Sequence, residues 1–235
     1  CGGKGTTPAP PADAGELADR LAAEPSDFQA HMGTLRALAA EARDVAEVSG
    51  WNKPALVALA AGCGGGLHSY CTPPHEKPLY PELKRLLGDR FAGRAADPFA
   101  VALPPVDLLF LDLWHDADRV HRLLALHAPA VTGRIVLHGT ATFGAKAEDG
   151  GPGMLDGVRR FLADRPEWTA VRHDPDSHGL MVLSKLPKDK DTPPGPAAKL
   201  LTFGKAVIRH AADRGKPAAP EVKAARLALC TLCEH

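Results

Sequence analysis

The chain has 235 residues, of which 28 are basic (Lys and Arg) and 28 acidic (Asp and Glu), so its formal net charge at pH 7 is zero. This balance provides no general attraction to nucleic acid or to an anionic membrane surface, and no apolar stretch of the sequence is long enough to span a bilayer. The length suits one domain with appendages better than two full domains.

Helix and strand patterns alternate along the first part of the chain. Residues 1–25 are rich in Gly, Pro and Ala and are predicted to form a flexible N-terminal segment. Ser26 or Asp27 can cap a helix that runs to about Arg43. The next predicted elements, in chain order, are a strand at 45–48, a helix from Pro54 to Gly62, a strand at 67–71, a short helix at 78–87 and a weak strand within 91–97.

The segment Val106–His138 has the pattern of a strand, a helix and a second strand. Its first apolar run, Leu108–Leu111, is unbroken and therefore typical of a strand that is covered on both faces. Apolar residues at helical spacing follow, and a second apolar run occupies residues 135–137. This order predicts a βαβ unit with a right-handed crossover.

Polar residues follow both strands of this unit. Asp112 and His115 come after the first run, and His138 comes after the second. In open α/β sheets, ligands bind beyond the carboxyl ends of the strands. We therefore expect a site here, with Asp112, His115 and His138 as candidate site residues.

The remaining elements complete the predicted domain. A Gly-rich loop at 143–153 precedes a helix with an apolar face over 154–162. Strands at 168–172 and 180–183 are predicted to form an antiparallel edge pair. The alternation of strands and helices predicts a doubly wound α/β fold with a mostly parallel sheet of about seven strands, over residues 26–186.

A change of composition at Pro187 marks the end of this domain. Residues 187–198 are predicted to be a linker, and residues 199–235 a helical tail with two short amphipathic helices. The tail ends with the pair Cys230 and Cys233. Thiolates at this spacing bind zinc well, so the pair is interpreted as half of a zinc site, with plain helix cysteines as the alternative.

Cysteine usage also bears on location. The five cysteines are an odd number, which suits a cytoplasmic protein with metal-bound or free thiols better than a disulfide framework. Cys63 and Cys71 are interpreted as small buried hydrophobic residues. A chain that begins at Cys1 leaves a second location open, because it is also typical of a processed, lipid-anchored lipoprotein.

Four motifs stand out in residues 26–184: Leu108–His115, Leu126–Pro129, Ile135–Thr140 with Phe143-Gly144, and the stretch from Pro166 to Leu180. Together with the order of the elements, they resemble class I S-adenosylmethionine (SAM)-dependent methyltransferases, and most closely their small O-methyltransferase and cephalosporin hydroxylase-like branch. The resemblance implies a Rossmann-like fold, SAM as cofactor and O-methyl transfer to a hydroxyl of a sugar or small metabolite.

The resemblance also implies roles for individual residues. In this family, a Gly-rich turn after the first strand and polar groups after the next two strands hold the cofactor. The positions that match or stand in for these groups are Glu47, Ser49, Gly50, Asp97 and Asp112. Asp112, His115 and His138 are the implied catalytic residues, which act on the acceptor hydroxyl.

Three positions differ from the family pattern. Ser49 stands where the first glycine is usual, Cys71 where an aspartate follows Ser-Tyr, and Gly139 in place of the aspartate of His-Asp-Thr. A thiol is a weak hydrogen-bond partner and cannot bind two ribose hydroxyls. A second interpretation therefore stays open, in which the domain is a catalytically inactive binding or scaffold module, with a protein partner or a second copy of the chain.

Structural alternatives exist for several of these residues. Glu47 can instead form a salt bridge to Lys53, and Asp112 can cap a helix or pair with Arg119 or Arg122. Bulky Trp51 and Trp114 can fill the crevice at the strand ends. A dinucleotide-binding dehydrogenase is disfavoured, because no G-x-G-x-x-G motif follows the first strand.

Overall fold

Strand β4 (Val106–Asp112) contains the apolar run of the central βαβ unit and is the middle strand of a seven-stranded sheet. The computed structural model describes residues 9–24, 26, 28–50, 53–73 and 76–186. The four residues Leu108–Leu111 are between 0% and 3% exposed, as expected for a strand with helices on both of its faces. The other strands are β1 (Val45–Ser49), β2 (Leu67–Cys71), β3 (Phe91–Ala95), β5 (Val131–His138), β6 (Trp168–Asp174) and β7 (Leu180–Lys185).

The order of the strands across the sheet is β3-β2-β1-β4-β5-β7-β6. Strands β1 to β5 pair in parallel, whereas β7 is antiparallel to both β5 and β6. The predicted doubly wound, mostly parallel sheet is confirmed. The predicted antiparallel pair is present as well, with β7 inserted between β5 and the edge strand β6.

Within the described residues, six α-helices flank the sheet: α1 (Ala14–Ala22), α2 (Gln29–Ala40), α3 (Lys53–Gly62), α4 (Tyr80–Leu87), α5 (Ala117–His127) and α6 (Met154–Asp164). Successive strand residues point to opposite faces of the sheet. Leu108 and Phe110 therefore pack in the layer formed with α1 to α4. Leu109 and Leu111 pack in the layer formed with α5 and α6.

Helix α1 lies within the segment that the sequence analysis expects to be flexible. Asp13 accepts a hydrogen bond from the Glu16 backbone nitrogen over 2.8 Å, and Glu16 accepts one from the Ala12 nitrogen over 2.7 Å, a reciprocal capping arrangement. The buried face of α1 consists of Ala14 and Ala18 and packs on α3. Leu17 and Leu21 pack against the core beside these alanines, so the segment has an apolar face despite its Gly, Pro and Ala content.

Helix α2 is shorter than predicted at both ends. It begins at Gln29 after Phe28 and ends at Ala40. Asp27, one of the two predicted caps, lies outside the described residues. The Phe28 side chain is 3% exposed and lies against Phe110 and His138, so burial of this ring, rather than a polar cap, fixes the start of the helix.

The connection between β3 and β4, residues 96–105, is fully described and contains no helix. One face of β2 and β3 is therefore covered by a loop alone. His68, Tyr70, Arg94 and Leu103 are among the residues that line a cavity of about 500 Å³ there. The carboxyl ends of the strands lie on the adjacent edge of the sheet.

Candidate active site

Four of the predicted site residues meet at the carboxyl edge of the sheet. Ser49 and Asp112 are directly paired in register at the ends of β1 and β4, where the strand order reverses, and the Gly50 nitrogen donates to the Asp112 backbone oxygen over 3.2 Å. His138 is the last residue of the neighbouring strand β5. This is the position at which open α/β sheets bind ligands.

The Asp112 carboxylate is hydrogen-bonded to His138. His138 Nδ1 lies 3.1 Å from Asp112 Oδ1, and His138 Nε2 lies 3.0 Å from the Ser177 backbone oxygen. The ring thus links the Asp112 carboxylate to the turn that contains Ser177. His138 therefore fixes the Asp112 carboxylate from one side.

His115 lies near the same carboxylate oxygen, at a longer distance. Its Nε2 lies 3.9 Å from Asp112 Oδ1, its Nδ1 lies 3.0 Å from Glu148 Oε1, and its ring stacks on Phe143 with centroids 4.2 Å apart. Burial works to lower the pKa of His115, but the carboxylates of Asp112 and Glu148 together outweigh it and raise the pKa above its usual value of 6.5. His115 is thus a titratable group held between two negative charges.

Gly139 is required by the position of His115. It has a φ angle of +86°, and a Cβ atom at this position would lie 2.6 Å from His115 Cδ2. Real Cβ atoms essentially never approach so closely. The absence of a side chain at position 139 therefore makes room for the His115 ring.

An aromatic stack lies beside this cluster. The rings of Trp114 and Phe99 are 5.1 Å apart and almost parallel, and the guanidinium groups of Arg119 and Arg122 lie over Trp114 and Phe99, respectively. Trp114 has a φ of +35°, a region that L side chains rarely adopt. Trp114 is half-buried against the loop after β3, while Trp51 lies outside the described residues.

Asp97 lies at the carboxyl end of β3. Its carboxylate is exposed and accepts a hydrogen bond from the Phe99 nitrogen over 2.8 Å. The neighbouring Ala96 nitrogen donates to the Cys71 backbone oxygen over 2.8 Å, which ties Asp97 to the end of β2. An accessible carboxylate is thus present beside the position where the family pattern has its aspartate.

Glu47 and Ser49 are fully buried, and their partner is one that the sequence analysis did not identify. Lys77 Nζ contacts Glu47 Oε1 and lies 2.8 Å from Ser49 Oγ. The alternative pairing of Glu47 with Lys53 is wrong, because the ion pair of Glu47 is with Lys77. No local pattern could have indicated this, since Lys77 is 30 residues away and reaches Glu47 only through the fold.

A histidine of helix α2 and the turn between β6 and β7 also support the site. The turn at 176–179 contains Ser177, His178 and Gly179, all with positive φ. His31 of α2 lies with Nε2 2.7 Å from the Asp176 backbone oxygen, beside the bond from His138 to Ser177. Burial lowers the pKa of His31. The sequence analysis missed both the turn and His31.

The helix-capping role that was an alternative for Asp112 belongs to Asp116. Asp116, rather than Asp112, caps α5 by accepting from the Arg119 nitrogen over 2.9 Å, and it also pairs with the Arg119 side chain. Cys63 and Cys71 are buried thiols, as predicted.

The described part of the chain contains no cluster of three or more His, Cys, Asp or Glu residues arranged to hold a metal ion. Cys230 and Cys233 lie outside it, as do the linker at 187–198 and the tail at 199–235. No helix within the described ranges is both long and apolar enough to cross a membrane.

Comparison with known proteins supports the fold through structure rather than sequence. No protein-family model matches the chain, and no curated protein matches it. An O-methyltransferase from Bacillus cereus, solved in complex with SAH, is 17% identical and has a TM-score of 0.53 over 74% of this chain and 92% of its own. TomG from Streptomyces achromogenes, an O-methyltransferase involved in tomaymycin synthesis and solved in complex with SAM, is 16% identical and has a TM-score of 0.51 over 74% of this chain and 88% of its own.

These similarities establish the fold of the domain. Its sheet and flanking helices have the Rossmann-like arrangement of class I SAM-dependent O-methyltransferases. The expectation from the sequence is confirmed at this level.

Proposed function

We propose that the protein is a SAM-dependent O-methyltransferase that acts on a hydroxyl group of a sugar or another small metabolite. The observation that carries this proposal is the placement of His115 and His138 around the same carboxylate oxygen of Asp112. This cluster borders the point where the strand order reverses, in a sheet with the methyltransferase arrangement. It combines a titratable base with a fixed carboxylate at the edge where ligands bind.

The groups at this edge fit SAM. The exposed carboxylate of Asp97 can accept hydrogen bonds from ribose hydroxyls, a role that the buried thiol of Cys71 does not fill. The backbone at Ser49 and Gly50 and the side chain of Asp112, at the ends of β1 and β4, would hold the methionine end of SAM. Glu47, buried two residues before the end of β1, is paired with Lys77 in the structure. When bound, SAM would supply a methyl group activated by a sulfonium charge.

The acceptor hydroxyl has to lose a proton during transfer, and His115 is placed to take it. Asp112 and Glu148 orient the imidazole and stabilise its protonated form. His138 holds Asp112 in place, so this carboxylate remains directed at His115 while the proton moves. A positioned general base typically contributes about 10²–10⁴-fold to the rate.

This assignment differs from that of metal-dependent relatives. In those enzymes, the position of Asp112 and an aspartate at the position of Gly139 hold a divalent cation. Here Gly139 offers no carboxylate, and Asp112 is bonded to a histidine. We therefore assign deprotonation to His115.

Calorimetric titration with SAM and SAH tests the proposal. We expect micromolar binding that Asp97→Ala weakens and that Asp89→Ala leaves unchanged, since Asp89 is a fully exposed partner of Lys84. Absence of heat at millimolar SAM, with the wild-type protein folded, would refute the proposal in favour of an inactive binding module.

We further propose that Cys230 and Cys233 bind a structural zinc ion together with two other ligands. The spacing of the two thiols supports this, because Cys-x-x-Cys pairs are typical of tetrahedral zinc sites. Elemental analysis of the purified protein should find zinc that is lost in Cys230→Ser. Metal-free protein in which both thiols titrate freely would contradict it.

A further inference from the structure

Lys77 is a buried lysine in a surface connection. It lies between β2 and α4, and the residues on either side, Glu76 and Pro78, are exposed. The Lys77 side chain is only 2% exposed. Lysine is almost never buried to this extent unless its charge is paired.

The partner of Lys77 is the carboxylate of Glu47, which is completely buried in β1. Glu47 Oε1 accepts from Lys77 and Ser49, while Oε2 accepts from Ser69. The Ser69 hydroxyl is in turn 2.9 Å from the Tyr80 hydroxyl. The ammonium group neutralises a carboxylate that is otherwise surrounded by neutral hydroxyls.

This ion pair borders the proposed cofactor crevice. Lys77 Nζ lies 2.8 Å from Ser49 Oγ, and Ser49 is the last residue of β1, paired in register with Asp112. SAM carries positive charge on its sulfonium and its α-ammonium group. In the structure, the Glu47 carboxylate of β1 is already paired with the ammonium group of Lys77.

We propose that Lys77 determines the affinity of the site for a cationic cofactor. It pairs with Glu47 in the free protein and withdraws when SAM binds, so that Glu47 then faces the positive charge of the cofactor. This inference rests on the function proposed above. Lys77 is a positioning residue in this role, since it acts through Glu47.

The path of the chain allows such a movement. The Lys77 backbone oxygen accepts from the Tyr80 nitrogen over 3.0 Å at the start of α4, so the backbone is anchored. The exposed neighbours show that this backbone lies at the surface. Rotation of the four-carbon side chain can therefore carry the ammonium group into solvent without any change in the strands.

Substitution of Lys77 tests the role of its charge. Lys77→Met leaves Glu47 without its counter-charge, so SAM should bind at least about tenfold more tightly than it binds wild-type protein, because a buried unpaired charge is costly. SAH lacks the sulfonium charge and should gain less. Lys77→Arg keeps a cation and should behave as wild type, and Glu47→Gln with Lys77→Met should show no gain.

Lys84→Met is the matched control, because Lys84 forms an exposed ion pair with Asp89. Folding of each variant is checked by circular dichroism before calorimetry. If the wild type binds SAM and folded Lys77→Met gains nothing, the inference is overturned while the proposed function stands. If no variant binds SAM, both are overturned.

A second measurement uses the unaltered sequence and so does not depend on the folding of a variant. Acetylation by acetic anhydride, read by peptide mass spectrometry, should leave Lys77 protected in the free protein and modify it when SAM is saturating. Lys84 should be modified equally in both states. Lys77 that stays protected at saturating SAM would overturn the proposal.

Discussion

His138 Nδ1 lies 3.1 Å from Asp112 Oδ1, and this contact joins the carboxyl ends of the two neighbouring strands β5 and β4. The same ring is held at Nε2 by the Ser177 backbone oxygen. The orientation of the Asp112 carboxylate therefore depends on a turn that is remote in sequence. This relationship makes His138 a structural support of the site as well as part of it.

His138→Gln should destabilise the protein. A side-chain amide cannot replace both bonds of the ring at once, and loss of a hydrogen bond to a charged group costs about 1.5–3 kcal/mol. We expect the free energy of unfolding, measured by urea titration, to fall by this amount. His121→Gln is the control, because His121 forms a partly exposed pair with Asp164; an equal loss in both variants would contradict the assignment.

His115→Gln should lower kcat by about 10²–10⁴-fold, the usual contribution of a general base. The affinity for SAM should change little, because His115 is proposed to deprotonate the acceptor hydroxyl and not to bind SAM. Methyl-transfer kinetics and SAM titration on the same preparation separate the two effects. A large loss of SAM affinity with unchanged kcat would show that His115 is not the base.

The pH dependence of transfer should report His115. The base acts only when it is neutral, so the rate should rise with pH through the pKa of His115, which lies above 6.5. Glu148 helps to raise this pKa. Glu148→Gln should therefore move the rising limb of the pH–rate profile to lower pH, and a shift in the opposite direction would refute the assignment.

Gly139→Ala should destabilise the protein more than the addition of one methyl group usually does. A φ of +86° is unfavourable for alanine by about 1–2 kcal/mol, and the new methyl group would also collide with His115. Gly33→Ala, at an exposed helical position with open space around it, should instead stabilise by about 0.5–1 kcal/mol. Urea unfolding measures both changes, and a neutral Gly139→Ala would show that His115 does not occupy this position.

Acid should weaken the fold through His31. Burial holds the pKa of His31 below the unfolded value of 6.5, so the unfolded state binds more protons as the pH falls. Stability is therefore complete above about 6.5 and decreases toward the folded pKa, by up to about 1.4 kcal/mol per pH unit for one proton. His31→Gln, whose amide can still donate to the Asp176 oxygen, should flatten this dependence between pH 7.5 and 5.5, and an unchanged slope would exclude His31 as its source.

Local patterns were sufficient for most of the sheet but not for the contacts that define the site. The unbroken run at Leu108–Leu111 predicts β4 because burial on both faces removes polar residues from a strand. Helix α1 was missed because the Gly, Pro and Ala content of residues 1–25 indicates flexibility, although Leu17 and Leu21 of this helix pack against the core.

The pairing of Lys77 with Glu47 and the approach of His31 to the turn at 176–179 depend on how helices cross the sheet. Such contacts depend on where the chain runs and on how far each side chain extends in the folded molecule. The sequence could therefore indicate the edge of the sheet and the residues Asp112, His115 and His138, but not the residues that orient them.

The close approach of Gly139 to His115 also constrains how this domain can change over generations. A side chain at 139, aspartate included, would collide with the His115 ring unless that ring moves. The residue types at positions 115 and 139 should therefore vary together among related sequences.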